Sequence, residues 1–502
     1  MKKEMKEQVI AAIKANIASH PNFYIVDKLI MQNSNKSINK HNDFQSKIKL
    51  NKQYILLFIF IFMFAFFVII FFVNNININL FWGENDDEIN IDYNSVNMSD
   101  IMKNFENIEY IYKYNNRDIK IKNESDFLEI CKEKKEIEIQ DLYFRICEKG
   151  VLFNKKIYEN VENPKISIIL TLLNRENYLL RILRSIQNQP MKDIEIIFID
   201  DGSTDNSVNI IKFHQQYDKR IILIKHEKNE GTLKSRNDGA YLAKGEYFLF
   251  SDSDDLLLYD ILNKTYDAAK TGNYEIVQFA VYRRNTKGDM WNYGEIRNTT
   301  PIYQPELSSL MYYYRGYLKQ TDWHIWGKLI KREAFYRALE FIGDYYLNTH
   351  MSVNEDGLVD FMLLKKAESY IYIKDYGYVY FANPRSVILS IKKTINKALR
   401  DYFLYLKYLF EKTENNNHEK AMAGEQLRYV YNKFYHNFKE TTENFEFYYE
   451  VLNLFINSRY INRNNRNRAK KIKEIFEETQ KELLKKEEAN NANITNITNN
   501  IK

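Results

Sequence analysis

One stretch of the chain is apolar on every side. Tyr54 to Val73 reads YILLFIFIFMFAFFVIIFFV, 20 residues with no charge. At about 1.5 Å per residue, such a helix spans a bilayer core of about 30 Å. A surface helix would keep one polar face, and this run has none. It is too long, and starts too far from Met1, for a cleaved signal. Lys36, Lys40, Lys47, Lys49 and Lys52 precede it, whereas Glu84, Asp86, Asp87 and Glu88 follow. The next basic residue is Lys103. Positive flanks stay in the cytosol. The pattern predicts a cytosolic tail at 1–53, a single-pass type II anchor at 54–73, and the rest of the chain across the membrane.

Residues 74–160 read as a mixed stem. It holds Cys131 and Cys147, which either pair in an oxidising lumen or are unrelated thiols. From Pro164 the pattern becomes regular. ISIILTLL at Ile166–Leu173 is a continuous, β-branched apolar run, as in a strand buried on both faces. A helical pattern follows over Asn177–Asn188, with Leu179, Leu180, Ile182, Leu183 and Ile186 on one face. A strand at Ile194–Ile199 runs into Asp200-Asp201-Gly202-Ser203. A helix over about 205–217 is predicted next, capped by Ser203 or Thr204. Then come a strand at Ile221–Ile224, a helix at Thr232–Lys244 stopped by Gly245, and a strand at Tyr247–Ser251. That strand ends in Asp252-Ser253-Asp254-Asp255. Strand–helix alternation with short loops predicts an α/β fold with a mostly parallel sheet. Such sheets bind ligands beyond the carboxyl ends of their strands, where both acidic clusters fall. After residue 395 the period is helical, with Leu399, Tyr402, Phe403, Leu406, Leu409 and Phe410 in one stripe. The 391–486 region reads as helical, and the polar 487–502 end as disordered.

Composition narrows this picture only a little. A chain of 502 residues is long enough for two or three domains. A net charge of +5 over that length does not argue for nucleic acid. Two cysteines exclude a disulfide scaffold or a cysteine-rich zinc module. N-x-[ST] triplets at Asn97, Asn123, Asn263, Asn298, Asn493 and Asn496 are compatible with a lumenal side, but an asparagine-rich chain produces them by chance.

Two carboxylates two residues apart, leaving a strand, suit a hard divalent ion. Taken alone, the acidic tetrapeptide reads as a solvated turn. A phosphatase nucleophile motif, D-x-D-x-[TV], fails at Leu256. Glu355-Asp356, taken alone, reads as acidic preference at a helix start. The segments are more informative together. PKISIILTLLNRENYLLRILRSIQNQ, IEIIFIDDGSTDNS and NEGTLKSRNDGAYLAKGEYFLFSDSDD resemble family 2 glycosyltransferases of the GT-A fold, in motif and in order. The N-x-G-x-x-x-x-R-N segment is matched by Asn229, Gly231, Arg236 and Asn237. The likeness covers Pro164 to Ser386 and implies a GT-A domain at 161–390.

The resemblance implies a metal-dependent, inverting, non-processive transfer from a nucleotide-sugar donor, usually a UDP-sugar, to a hydroxyl of a glycan, glycoprotein or lipid. It implies an enzyme of hexosyl- or N-acetylhexosaminyltransferase type. Thr171 and Asp201 are implied as contacts to nucleobase and ribose, and Arg236 as a nucleotide contact. Asp252 is implied as a ribose or metal contact, and Asp254 as the ligand of Mn²⁺ or Mg²⁺. Asp356 is implied as the base and Glu355 as the group that positions the acceptor. Crowding of these two carboxylates raises a pKa towards useful basicity. Trp323 to Ile330 resembles the family's W-x-K-L segment; its aromatics stack on a sugar or pack in the core. Tyr378-Val379-Tyr380 with Arg385-Ser386 resembles a closing strand and loop. No Q-x-x-R-W follows Glu355-Asp356, and only one span is present, unlike processive synthases. The alternatives are a non-catalytic glycan-binding or scaffold protein on the same fold and, disfavoured by motif order, a metal-dependent phosphatase or nucleotidyltransferase. A lumenal transferase needs imported sugar nucleotides, so topology points to the Golgi, with the ER open.

Overall fold

The computed structural model describes residues 110–501 apart from 115–116, 133, 150, 154–156, 286–288, 294–298, 305–323, 382–394 and 414–416. The tail and anchor at 1–73, Trp323 and Arg385-Ser386 therefore lie outside the described residues. Among the described residues, no helix is long and apolar enough to cross a membrane.

The chain opens with a hairpin, β1 (Tyr110–Tyr114) and β2 (Arg117–Ile121), then α1 (Glu124–Cys131) and α2 (Glu136–Glu148). The sheet region follows: β3 (Ile166–Leu172), α3 (Glu176–Gln187), β4 (Ile194–Asp200), α4 (Ser207–Gln215), β5 (Ile221–Lys225), α5 (Thr232–Leu242) and β6 (Tyr247–Asp252). Next are β7 (Leu256–Leu257), α6 (Ile261–Gly272), β8 (Ile276–Arg284), β9 (Met290–Tyr293) and β10 (Ile302–Tyr303). Then come β11 (Lys328–Lys331), α7 (Arg332–Ile342), α8 (Asp344–Leu347), α9 (Glu355–Lys366) and β12 (Ser369–Phe381). The chain ends in α10 (Ile395–Lys412), α11 (Asn417–Phe434), α12 (Phe445–Asn457) and α13 (Arg463–Ile501).

The main sheet has the order β10-β12-β8-β11-β6-β3-β4-β5. Strands β6, β3, β4 and β5 are mutually parallel. Strand β11 runs antiparallel to both β6 and β8. Strands β12, β8, β6, β3, β4 and β5 run one way and β11 and β10 the other, so the sheet is mixed around a mainly parallel set. The four-residue β11 is too short to carry a readable period, so the sequence did not reveal the reversal.

Alternate residues of the parallel strands enter different cores, which explains their unbroken apolar runs. Ile169, Ile197, Ile199, Phe248 and Phe250 face α7, α9 and the C-terminal helices. Ile168, Leu170, Ile196, Phe198 and Leu249 face α3, α4 and α6. Each such side chain contributes about 1.5–3 kcal/mol when fully buried. Leu180, expected on the buried face of α3, is half exposed. Ser203 and Thr204 do not cap α4. The Ser203 hydroxyl accepts from the Asn174 N–H at 2.9 Å, and Asp205 accepts from the Ser207 N–H at 3.0 Å.

Two segments pack more closely onto the sheet than the sequence suggested. Phe127, Leu142, Tyr143 and Phe144, within the segment read as a stem, share a core with Leu256, Leu258, Tyr282 and Val379. The C-terminal helices share a core with α7 and α9. At the chain's end α13 continues to Ile501, where composition predicted disorder from 487. Helix propagation onto an existing helix is far easier than nucleation, and no Gly or Pro interrupts that stretch.

Candidate active site

The chain leaves β3 towards β4 and β5 on one side, then returns to β6 on the other. That reversal makes a crevice at the carboxyl ends of β3 and β6, where open α/β sheets bind ligands. Register sets the residues at its rim: Thr171 lies opposite Asp252, and Leu172 opposite Asp200.

Asp201, one residue beyond β4, shapes the wall of the crevice. Its carboxylate accepts from the Glu230 N–H at 2.8 Å and the Gly231 N–H at 3.0 Å. His226 Nδ1 lies 2.9 Å from the same carboxylate, and its Nε2 lies 3.0 Å from Asp238. Asp201 thus holds the 229–231 turn, with about one of its roughly four acceptor positions uncommitted. Gly231 has φ +96°, and a Cβ there would sit 3.0 Å from the backbone N and O of Met351. The absent side chain lets the 229–231 turn touch the 350–353 loop.

Arg236 ties the site together. It lies on α5, which presses onto β3 and β4 because Gly239 has no side chain. A Cβ on Gly239 would fall 2.6 Å from Ile199 and 2.7 Å from Ile169. From the buried side of that helix, Nη2 donates to Asp252 Oδ1 at 3.0 Å. Nη1 donates to Glu355 Oε1 at 3.0 Å and also to Asp356 Oδ1. One guanidinium therefore joins the strand-end carboxylate to a pair that lies 119 and 120 residues after the arginine itself. Sequence reasoning gave Arg236 a nucleotide contact; the structure shows it bonded to three carboxylates.

Buried Glu355 and half-buried Asp252 and Asp356 share this cation, and the charge states of Glu355 and Asp252 respond. Burial, reinforced by Asp356 and opposed by Arg236, pushes the Glu355 carboxyl up to about 8. Burial also raises Asp252 to about 6, with Arg236 opposing the rise and Asp356 and Asp254 adding to it. Burial works against the Arg236 charge, but the three carboxylates outweigh it and hold the guanidinium above its ordinary value. At both Glu355 and Asp252 burial is the larger cause and the neighbouring carboxylates add to it.

The rest of the acidic tetrapeptide divides by role. Asp255 is buried and accepts from the Tyr378 hydroxyl at 2.7 Å and the Phe381 N–H at 2.9 Å. It anchors β12. Asp254 has Arg175 Nε 3.7 Å from its carboxylate, while Arg181 donates to its backbone carbonyl. Arg175, Arg181 and His226 were not singled out from the sequence. Arg175 belongs to the polar turn after β3, the one local signal available. Leu256, the residue that fails the phosphatase motif, is buried and pairs with Val379 across β7 and β12.

The aromatic segment near the site is packed, not open. Trp326 stacks on His324 at 4.1 Å, on Tyr378 at 5.1 Å and on Tyr380 at 5.5 Å between ring centroids. It is 5% exposed, so a sugar cannot stack on it. Tyr378 links this column to the acidic turn by accepting from the Asp252 N–H at 3.0 Å. Lys328 is fully buried and pairs with Asp360, one turn along α9 from Asp356. Cys147 is a free thiol that burial pushes up to about 12.

The sequence model of glycosyl transferase family 2 matches residues 167–339, a span that ends before Glu355. "Uncharacterized glycosyltransferase EpsJ" of Bacillus subtilis is 26% identical over 45% of this chain and 63% of that protein. "Cholesterol galactosyltransferase" of Borreliella burgdorferi is 30% identical over 46% of this chain and 64% of that protein. The matches thus span less than two thirds of either relative. A crystal structure of S. aureus TarS 1-349 aligns over 64% of this chain and 91% of that one, at 16% identity and a TM-score of 0.45. Both sequence relatives are bacterial, which argues against the Golgi placement.

Proposed function

We propose that this chain is a glycosyltransferase that moves a sugar from a nucleotide-sugar donor to an acceptor hydroxyl, inverting the anomeric centre. The observation that carries the reading is Arg236, whose guanidinium joins Asp252 at the mouth of the crevice to Glu355 and Asp356. A donor group held at Asp252 and a base at Asp356 would then lie within the reach of one side chain. The match of residues 167–339 to a glycosyltransferase family supports the reaction class.

In this reading the nucleoside diphosphate lies along the carboxyl ends of β3 and β6, near Thr171, Asp201 and Asp252. The acceptor oxygen bonds to the anomeric carbon as that carbon's bond to the diphosphate oxygen breaks. Asp356 takes the hydroxyl proton, and the electron pair leaves on the diphosphate. Attack from the face opposite the leaving group inverts the centre. Arg236 orients Asp356 through Oδ1. Glu355 lies beside Asp356 and positions the acceptor.

Mn²⁺ or Mg²⁺ fits the residues present. Asp252 and Asp254 offer hard oxygens two residues apart, and Asp252 Oδ2 takes no part in the bond to Arg236. Among the described residues no cluster of three or more ligating side chains occurs. An ion here would be held by one or two carboxylates and otherwise by phosphate and water. When bound, it would stabilise charge on the departing diphosphate. Asp254→Ala is expected to abolish metal-dependent turnover and weaken Mn²⁺ binding measured by calorimetry, with circular dichroism unchanged. Full activity in the variant, or in wild-type protein with chelator, contradicts this assignment.

Residues 54–73 are proposed as the membrane anchor, with the lysine-rich side in the cytosol. Protease added to sealed vesicles from which the tail projects should remove about 50 residues, the length assigned by the positive-inside argument, and leave the remainder intact. Loss of the C-terminal part instead reverses the orientation. It would also place the crevice in the compartment that holds a bacterial cell's sugar nucleotides.

A further inference from the structure

We propose that Asp401, on the C-terminal helix α10, is a positioning residue that sets the loop carrying Glu355 and Asp356. This inference rests on the transferase reading and extends the working site to a helix outside the matched 167–339 span.

The loop between α8 and α9 has little regular structure of its own. It passes through His350, Met351, Ser352 and Val353 to Asn354, whose φ of +64° starts α9 in the left-handed region. Glu355 and Asp356 follow at once. Asparagine tolerates this region better than most side chains, and its surroundings hold the loop in place. Five hydrogen bonds to the loop do so here. Asp401 is fully buried, and one carboxylate oxygen accepts from the Ser352 N–H at 3.0 Å and the Val353 N–H at 3.2 Å. Its neighbour Arg400 donates to the His350 carbonyl at 2.9 Å and to Asp401 Oδ1 at 3.2 Å. On the other side, His350 Nε2 lies 3.0 Å from Asn229 Oδ1, and the Leu233 N–H donates to the Met351 carbonyl at 3.3 Å.

The loop is therefore clasped between two elements. One side is the turn that Asp201 holds at the nucleotide crevice; the other is α10. Two successive residues of α10 bond the backbone on either side of Met351. A buried carboxylate spent on two loop N–H groups, three and two residues before Glu355, costs more than an apolar contact would. It secures the backbone path into α9 and hence the direction of both carboxylates. The C-terminal helices are in this account a working part of the transferase.

The test compares Asp401→Ala, Asp401→Asn and Arg400→Gln in the full chain. A misplacement of the base by about 1 Å costs up to about 10²-fold in rate. Asp401→Ala should lower kcat by about 10–100-fold, with donor affinity at the wild-type value. Asparagine keeps a carbonyl acceptor and should recover most of the loss. Arg400→Gln should give a smaller fall of the same kind, and serves if Asp401→Ala does not fold. Hydrogen exchange at Ser352 and Val353 should quicken in Asp401→Ala and not elsewhere in the sheet. Unchanged exchange at these two amides overturns the clasp. A joint fall of kcat, donor affinity and melting temperature, with no rescue by asparagine, makes Asp401 merely structural and also overturns the proposal. If wild-type protein turns over no donor, the transferase reading fails, while the exchange result still reports on the clasp.

Discussion

Asp356→Asn should lower kcat by about 10²–10⁴-fold, the usual contribution of a positioned general base, and leave donor affinity nearly unchanged. The substitution keeps the shape of the side chain and an oxygen that can accept from Arg236 Nη1. It removes the charge and the basicity. The Asp252 end of the crevice keeps its own bond to Arg236 Nη2 at 3.0 Å, so the donor side should hold. Donor titration by calorimetry beside initial rates separates the two effects. Lost donor binding with normal turnover per bound donor would make Asp356 a nucleotide-site residue.

Arg236→Gln should be the more damaging change to the fold. Arg236 is 5% exposed and is the cation bonded to Asp252, Glu355 and Asp356. Removing one partner of a buried ion pair costs about 3–5 kcal/mol, because the remaining charge is left uncompensated. The loss should depend on pH, with a sign fixed by the raised carboxyls. Glu355 titrates at about 8 in the folded protein against an ordinary 4.5, so the folded state holds its proton more tightly. That contribution is complete below 4.5 and is lost as pH rises to about 8. Asp252 behaves likewise between 3.8 and about 6. Arg236 opposes both rises, so without it the carboxyls hold their protons to still higher pH. At pH 8 the folded variant retains protons that the unfolded chain has released, which costs stability that the wild type loses to a smaller extent, whereas at pH 5 both folded proteins are largely protonated at these groups. Urea unfolding should therefore show a large deficit for Arg236→Gln at pH 8 and a smaller one at pH 5. Equal deficits at the two pH values would contradict this account of the cluster.

Some of this was legible in the chain. Strands β3, β4 and β6 were, because burial on both faces leaves a continuous apolar run that needs no partner to be recognised. Their acidic ends followed from the strands. Glu355 and Asp356 were legible by family resemblance, not by local pattern, since an acidic pair at a helix start has an ordinary explanation. The Arg236 bonds were not legible. They join residues 16 to 120 positions apart, and no periodicity encodes such a distance. The Asp401 clasp escaped for the same reason, as did His226 between Asp201 and Asp238. The sequence left Trp326 open between sugar stacking and core packing. That choice depends on Tyr378 and Tyr380, which reach it from another strand. The exposed Leu180 shows the limit of a helical stripe: apolar residues at the stripe's edge need not be buried.

The central claim is that a nucleotide sugar is the donor and that Asp356 accepts the acceptor's proton. The direct measurement is nucleoside diphosphate release across a panel of nucleotide sugars, with wild-type protein and Asp356→Asn at equal donor saturation, and the anomeric configuration of the product read by NMR. The account predicts that at least one donor is turned over by the wild type, that Asp356→Asn is slower by about 10²-fold or more, and that the product is inverted. Equal rates in the two proteins, or a product that retains the donor's configuration, would contradict it.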